Sequence, residues 1–222
     1  MTIMERAFDH QLEELKRQIL VMGGHVEKAL AEVTSGLTER APHKFSLVDA
    51  IEEKINEGHI DVDNRCLNLL AKQSPVAKDL RMILSMIKIN TDLERMGDQA
   101  MNIAYTAQDY LQRPSLNQVS DISRMAQIAR EMVRGSLDSF VRGSPEDAQQ
   151  ILLMDDELDG LKNHVFQELC AHMKKNPQDV EASMDLILIA RNLERCGDHA
   201  TNIAEDVIFA QTGRDVRHGG HP

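Results

Sequence analysis

The sequence predicts an all-α protein of six long helices, arranged as two tandem, pseudo-symmetric three-helix bundles. Three observations carry that expectation. Apolar residues recur at steps of three and four along most of the 222-residue chain. Helix-favouring Leu, Met, Ile, Ala and Glu are abundant, while aromatic residues make up 3% and Trp is absent. Finally, one segment repeats itself 100 residues on. Leu93-Glu94-Arg95-Met96-Gly97-Asp98-Gln99-Ala100-Met101-Asn102-Ile103-Ala104 matches Leu193-Glu194-Arg195-Cys196-Gly197-Asp198-His199-Ala200-Thr201-Asn202-Ile203-Ala204 at nine of twelve positions, the mark of a duplicated structural unit.

From Phe8 the apolar residues run Leu12, Leu15, Ile19, Met22, Val26, Ala29 or Leu30, Val33 and Leu37, which fits one long amphipathic helix. Gly23-Gly24 is a point where it is expected to weaken or bend. Ala41-Pro42 breaks the pattern, and a second helix carries Leu47, Ile51, Ile55, Val62, Cys66 and Leu69 on one face. Ser74-Pro75 reads as the cap and first position of the third helix, which continues to about Leu111. Arg113-Pro114-Ser115 closes the first half. The second half repeats the plan: a helix over about Leu116 to Val141, a break at Gly143-Ser144-Pro145-Glu146, a helix to Lys175, and Asn176-Pro177 before the last one, which ends ahead of Gly213. Ser144 followed by Pro145, Glu146 and Asp147 is a helix start, with a capping hydroxyl and acids in the first turn. Short Pro-containing breaks make successive helices antiparallel neighbours. The expected units are therefore residues 1–113 and 114–212, followed by a mobile tail over 213–222 that lacks apolar periodicity.

A hydrophobic content of 42% is enough for a sizeable core. The formal charge of −11 denies the chain the cationic surface on which nucleic-acid binding depends. No apolar run approaches the roughly 20 residues of a membrane span, and the N-terminus lacks a basic lead into an apolar stretch. The expectation is a soluble, cytoplasmic protein. Cys66, Cys170 and Cys196 form no C-x-x-C pair and fall near apolar stripes, where a thiol acts as a small hydrophobe.

Each repeat carries Glu-x-x-x-Asp-x-x-x-Asn, three oxygen donors along one side of a helix. The preceding helix of each half carries a matching row, Glu52/Asn56 and Asp155/Asp159. The rows of the preceding helices stand one position after the apolar pairs Ile51/Ile55 and Met154/Leu158, and Glu94 and Glu194 likewise follow Leu93 and Leu193, so all four rows flank the core stripe on the same side. The rows of Glu52/Asn56 and Glu94/Asp98 are equidistant along the chain from Pro75, and those of Asp155/Asp159 and Glu194/Asp198 from Asn176-Pro177. Antiparallel hairpins turning there bring each pair of rows to the same height, with Glu52 near Asp98 and Asp155 near Asp198. Carboxylates about 4 Å apart repel by on the order of 1 to 4 kcal/mol per pair. That repulsion needs an offset, either from Arg95 and Arg195 or from a bound cation. All-oxygen donors suit hard ions: Mg, Mn, Ca or Fe. The candidate metal ligands are Glu52, Asn56, Glu94, Asp98, Asp155, Asp159, Glu194 and Asp198.

The segments Glu52-Glu53-Lys54-Ile55-Asn56, Pro75-Val76-Ala77-Lys78-Asp79-Leu80-Arg81, Leu93 to Asp98 and Leu193 to Glu205 resemble the signature segments of the PhoU family of bacterial phosphate-signalling accessory proteins. The resemblance covers the chain apart from its tail. It implies two tandem three-helix bundles, metal clusters held by E(D)xxxD motifs, and homodimerisation. It further implies a regulator that keeps the phosphate regulon off in plentiful phosphate, by linking the ATPase of the phosphate-specific ABC transporter to a membrane sensor histidine kinase. Asn56 is neutral where its counterpart Asp159 is charged, which predicts weaker cation binding at the first cluster. Gln99 stands opposite His199, so no histidine ligand is shared by the two copies.

Two other classes fit the composition less well. A carboxylate-bridged metal oxidase needs Glu-x-x-His on two helices, and only Asp215-x-x-His218 in the tail comes near that pattern. A purely structural helical protein leaves the acid rows as solvated faces. No nucleophile, base and orienting group can be paired from the sequence, so no enzyme is expected. His10, His25, His43, His59, His164 and His172 read as ordinary helix or turn residues, and His218 and His221 as a solvated tail.

Overall fold

The computed structural model describes residues 3–217, with side chains from residue 8 onward. Six helices account for nearly all of it: α1 (Ile3–Thr38), α2 (Phe45–Gln73), α3 (Lys78–Tyr110), α4 (Val119–Arg142), α5 (Pro145–Lys175) and α6 (Val180–Thr212). Single 3-10 turns at Pro42–Lys44 and Pro177–Asp179 precede α2 and α6, and no strand occurs among the described residues. Helices α1, α2 and α3 pack on one another, as do α4, α5 and α6. In addition, α3 lies along α6 and α1 along α4, so a continuous core runs through both triplets.

The apolar stripes read from the sequence are the buried ones. Leu15, Ile19, Met22, Val26, Leu30, Val33 and Leu37 of α1 are at most 2% exposed. α1 runs unbroken through Gly23-Gly24. Gly23 is instead a close-packing point, since a Cβ there would stand 2.0 Å from Leu137 Cδ1 of α4. Cys66 and Cys196 are fully buried, and burial pushes both thiols up to about 12, which removes thiolate reactivity.

Boundaries differ from expectation at three places. Ser74 does not cap α3; it ends α2 in a left-handed conformation (φ 45°), and α3 begins at Lys78 after Ala77, also at positive φ (48°). The residue before a proline is steered away from the helical region, so Ser74-Pro75 terminates a helix more readily than it starts one. α4 begins at Val119, because Leu116 is tied into the preceding loop by its N–H donating to the buried Tyr110 Oη at 2.7 Å. Residues 214–217, expected to be mobile, lie against the bundle: Val216 packs on the core and Arg217 pairs with Asp206 at 3.2 Å. Asp215-x-x-His218, His218, Gly219-Gly220 and His221 fall wholly or partly outside the described residues. The Ser144 cap forms as expected, its Oγ accepting the Asp147 N–H at 3.1 Å, and Gly143 closes α4 at φ 62°.

The connection between the triplets is pinned from both sides. Arg40 Nη2 donates to the carbonyls of Leu111 (2.6 Å) and Arg113 (2.7 Å), while Arg113 itself reaches Glu181 (2.9 Å) and Asp185 (2.8 Å) on α6.

Candidate cation sites

The glycine of each repeat positions its acid row. Gly97 and Gly197 are buried on α3 and α6, where a Cβ would stand 3.1 Å from Ile55 Cδ1 and 2.4 Å from Leu158 Cδ2. The missing side chains let α2 approach α3, and α5 approach α6, at these heights. In the second hairpin the residues flanking Leu158 meet those flanking Gly197, so its two rows lie side by side.

In the second cluster Asp155, Asp159, Glu194 and Asp198 come together. Burial, then Asp198, Asp159 and Glu194 in that order, push the Asp155 carboxyl up to about 6. Burial, with Glu194 and Asp159, also raises Asp198. Lys162, one turn on from the α5 row, extends its ammonium between the two helices to Asp159 (2.8 Å) and Glu194 (2.5 Å). Those two carboxylates hold Lys162 protonated above its ordinary value. The sequence offers two sources for the charge offset, Arg95 and Arg195 or a bound cation. Both arginines are exposed, and neither makes an ion pair among the described residues, because each points one position away from its row. The Asp159-x-x-Lys162 spacing was the available signal for the residue that fills this role.

In the first cluster Asn56 Nδ2 donates to Glu52 Oε1 at 2.6 Å, Glu94 is half-buried and Asp98 is exposed. A neutral amide in the row leaves less charge to offset, and among the described residues no lysine pairs across this site. His59, which occupies the position matching Lys162, lies 3.6 Å from Asp63 instead.

Among the described residues no three His, Cys, Asp or Glu side chains are arranged to enclose a metal ion. The donor sets nevertheless suit a hard cation: all ligands are oxygen, the second cluster holds four carboxylates against one ammonium, and one of its acids is already driven toward protonation. An ion there would displace Lys162 as the source of positive charge.

A second polar group was not foreseen. Asp92 of α3 is buried and accepts His199 Nδ1 at 2.8 Å and Asn202 Nδ2 at 3.2 Å, both from α6. It fixes the antiparallel register of the two central helices, and occupies His199 with a structural bond.

Comparison with known proteins places this architecture. The family model described as PhoU domain matches residues 19–107 and again 122–207, so it matches each triplet once. The chain belongs to the PhoU family. A phosphate-specific transport system accessory protein PhoU homolog of Pseudomonas putida is 34% identical over 98% of this chain and 85% of its own length. The homolog of Aquifex aeolicus is 35% identical over 94% of both chains. The crystal structure of PhoU from Pseudomonas aeruginosa superposes with a TM-score of 0.90 at 32% identity, covering 93% of this chain and 99% of that one. The phosphate transport system regulatory protein PhoU from Streptococcus pneumoniae gives 0.88 at 26% identity, covering 94% and 99%. The chain is thus a PhoU-family phosphate transport accessory protein, and its six-helix fold is the PhoU fold.

Proposed function

We propose that this chain is a non-enzymatic, cytoplasmic adaptor that keeps the phosphate regulon silent in plentiful phosphate by coupling the phosphate transporter ATPase to a sensor histidine kinase. Full-length similarity to transport accessory proteins is the observation that carries this reading. No helix among the described residues is long and apolar enough to cross a membrane. The net charge of −11 works against adsorption to anionic lipid. Recruitment to membrane-bound partners therefore proceeds through protein surfaces.

In the same reading the chain is a homodimer and its two acid clusters bind Mg, Mn or Fe ions. Glu52, Asn56, Glu94 and Asp98 hold one site; Asp155, Asp159, Glu194 and Asp198 hold the other. The uncompensated charge of the second cluster supports this, since a cation at a cluster of desolvated carboxylates relieves their repulsion.

Deleting the gene in the native organism tests the regulatory role. Phosphate-starvation genes should then be expressed in rich phosphate, and the restored wild-type chain should silence them. Starvation genes that stay silent in the deletion strain would overturn the reading.

A further inference from the structure

Because the two halves repeat one plan, each serves as a control for the other. α3 and α6 correspond at an offset of 100 residues, and α2 and α5 at 103, the offset that sets Ile55 on Gly97 and Leu158 on Gly197.

In the first half the groove beyond the acid row is filled by polar groups. Asn90 is fully buried, and its Nδ2 donates to the His59 carbonyl at 3.0 Å and to Asp63 Oδ1 at 2.9 Å. Lys88, on the same helix, pairs with Asp206 at 3.1 Å. The second half carries Ala190, Phe166 and Leu188 in place of Asn90, Asp63 and Lys88. With a methyl where the amide stood, the α5–α6 groove remains open as a cavity of about 420 Å³ lined by Lys162, Asn163, Phe166, Ile187, Ala190, Arg191 and Glu194. Phe166 is 52% exposed, Met184 45% and Leu188 41%. The pairs Asp92/His199 and Lys88/Asp206 set an antiparallel register that brings Tyr105, also exposed, level with Leu188. Its counterpart in the other half is Glu205. Three polar residues of the first half, Asn90, Asp63 and Lys88, therefore have apolar counterparts in the second, and Tyr105 adds an exposed ring level with Leu188.

Exposed apolar side chains beside an open cavity mark an interaction site. Its margin is acidic. The four carboxylates of the second cluster outnumber the two cations of the cavity wall, Lys162 and Arg191.

We propose that the α5–α6 surface around Phe166 is a docking site for a basic amphipathic helix of a partner protein. Apolar side chains at helical spacing enter the groove along Phe166 and Ile187, with one anchor in the space over Ala190 and another over the exposed Leu188. In the metal-free chain, Lys or Arg residues flanking that apolar face meet the carboxylates of Asp155, Asp159, Glu194 and Asp198, in competition with Lys162 and with a bound ion. The proposal rests on the adaptor reading for the existence of a partner. The two remain separable, because the deletion experiment does not depend on which surface is used.

The test uses the full chain and a fluorescent probe peptide of about 18 residues, five helical turns, with Leu along one face and Lys on the flanks. Phe166→Asp combined with Leu188→Lys should weaken binding by about tenfold or more, and Ala190→Asn, which refills the groove, should do the same. Leu84→Asp, at the first-half position matching Met184, should leave affinity within about twofold. Circular dichroism checks that each variant stays folded, above all Ala190→Asn, since Ala190 is 2% exposed whereas Phe166, Leu188 and Leu84 are exposed. A photo-crosslinker at position 166 in native cells should capture a Lys/Arg-rich amphipathic segment, identified by mass spectrometry. Unchanged binding by both groove variants, equal binding of a Glu-flanked probe, or capture of an acidic segment would each overturn the proposal. So would conversion of a dimer to monomers by Phe166→Asp, because that assigns the surface to a second copy of this chain.

Discussion

Gly197 of α6 seats Leu158 of α5 so closely that an added Cβ would stand 2.4 Å from Leu158 Cδ2, whereas the matching pair Gly97 and Ile55 leaves 3.1 Å. Leu158 is fully buried, and Met132 closes the seat from α4 at 3.5 Å. Gly197→Ala therefore overpacks a site with little room to relax, at a cost of about 1–3 kcal/mol. Alanine returns about 1 kcal/mol of helix propensity. The net effect should be a lower Tm for Gly197→Ala and a near-neutral result for Gly97→Ala. Thermal unfolding followed by circular dichroism checks the ranking, and equal Tm values would show that the second hairpin is not held at this contact.

The fold and the acid rows were legible in the sequence for one shared reason: both follow the period of a helix. Stripes such as Leu15 to Leu37 declare their face, and an oxygen row one position along must rim it. What lies across elements was not legible. Asp92 and His199 are 107 residues apart, and nothing in either helix alone says that α3 runs along α6. Lys162 was passed over because a flexible cation beside acids has the same spacing whether it spans two helices or waves in solvent. Ser74 misled because a serine before a proline is a common helix start, while a non-glycine residue at positive φ is a rare helix end. The seating of the tail depends on Arg217 finding the buried Asp206, which no local pattern announces.

The raised Asp155 carboxyl makes the metal-free protein sensitive to pH. Its folded value, about 6, lies above the ordinary 3.8, so the folded state holds the proton more tightly than the unfolded state between those limits. Stability contributed by this group is complete below pH 3.8 and is lost as pH rises through about 6. Asp155→Asn should therefore stabilise chelator-treated protein at pH 7.5, by about 1–2 kcal/mol after allowance for solvent screening, and change little near pH 4. Urea unfolding at the two pH values measures the difference. A constant effect across them would show that desolvation and the neighbouring acids are not what destabilises the charged form.

If the two clusters bind cations independently, Glu94→Ala with Asp98→Ala should lower the metal content of untagged protein by about half, since helix positions of low burial tolerate Ala. Elemental analysis decides it. Unchanged stoichiometry would remove the first cluster from the proposed sites.

Lys162 and a metal ion compete for the same two carboxylates, Asp159 and Glu194. Removing the ammonium with Lys162→Ala should destabilise the metal-free chain and tighten Mn binding at the second cluster. A titration of Tm against Mn concentration should then rise further and at lower concentration than for the wild type. Binding that weakens instead would mean that Lys162 holds the helices in place rather than occupying the ion's position.

The Asp92 carboxylate is the buried acceptor for two α6 donors, His199 Nδ1 and Asn202 Nδ2. Asp92→Ala leaves His199, 9% exposed, with its ring nitrogen unpaired inside the α3–α6 contact. A buried polar group stripped of its partner costs about 1–3 kcal/mol, more where a charge assists the bond. The position repeated in the other half is Asn192, whose amide, among the described residues, donates to the Leu188 carbonyl of its own helix at 2.9 Å and to no group of α3. Asn192→Ala removes no bond between α3 and α6, so its cost should be smaller by about 1 kcal/mol or more. Denaturant unfolding of the two variants makes the comparison within one protein. Equal losses would show that the register of the central helices is set by their apolar stripes alone, with the Asp92 bonds incidental to it.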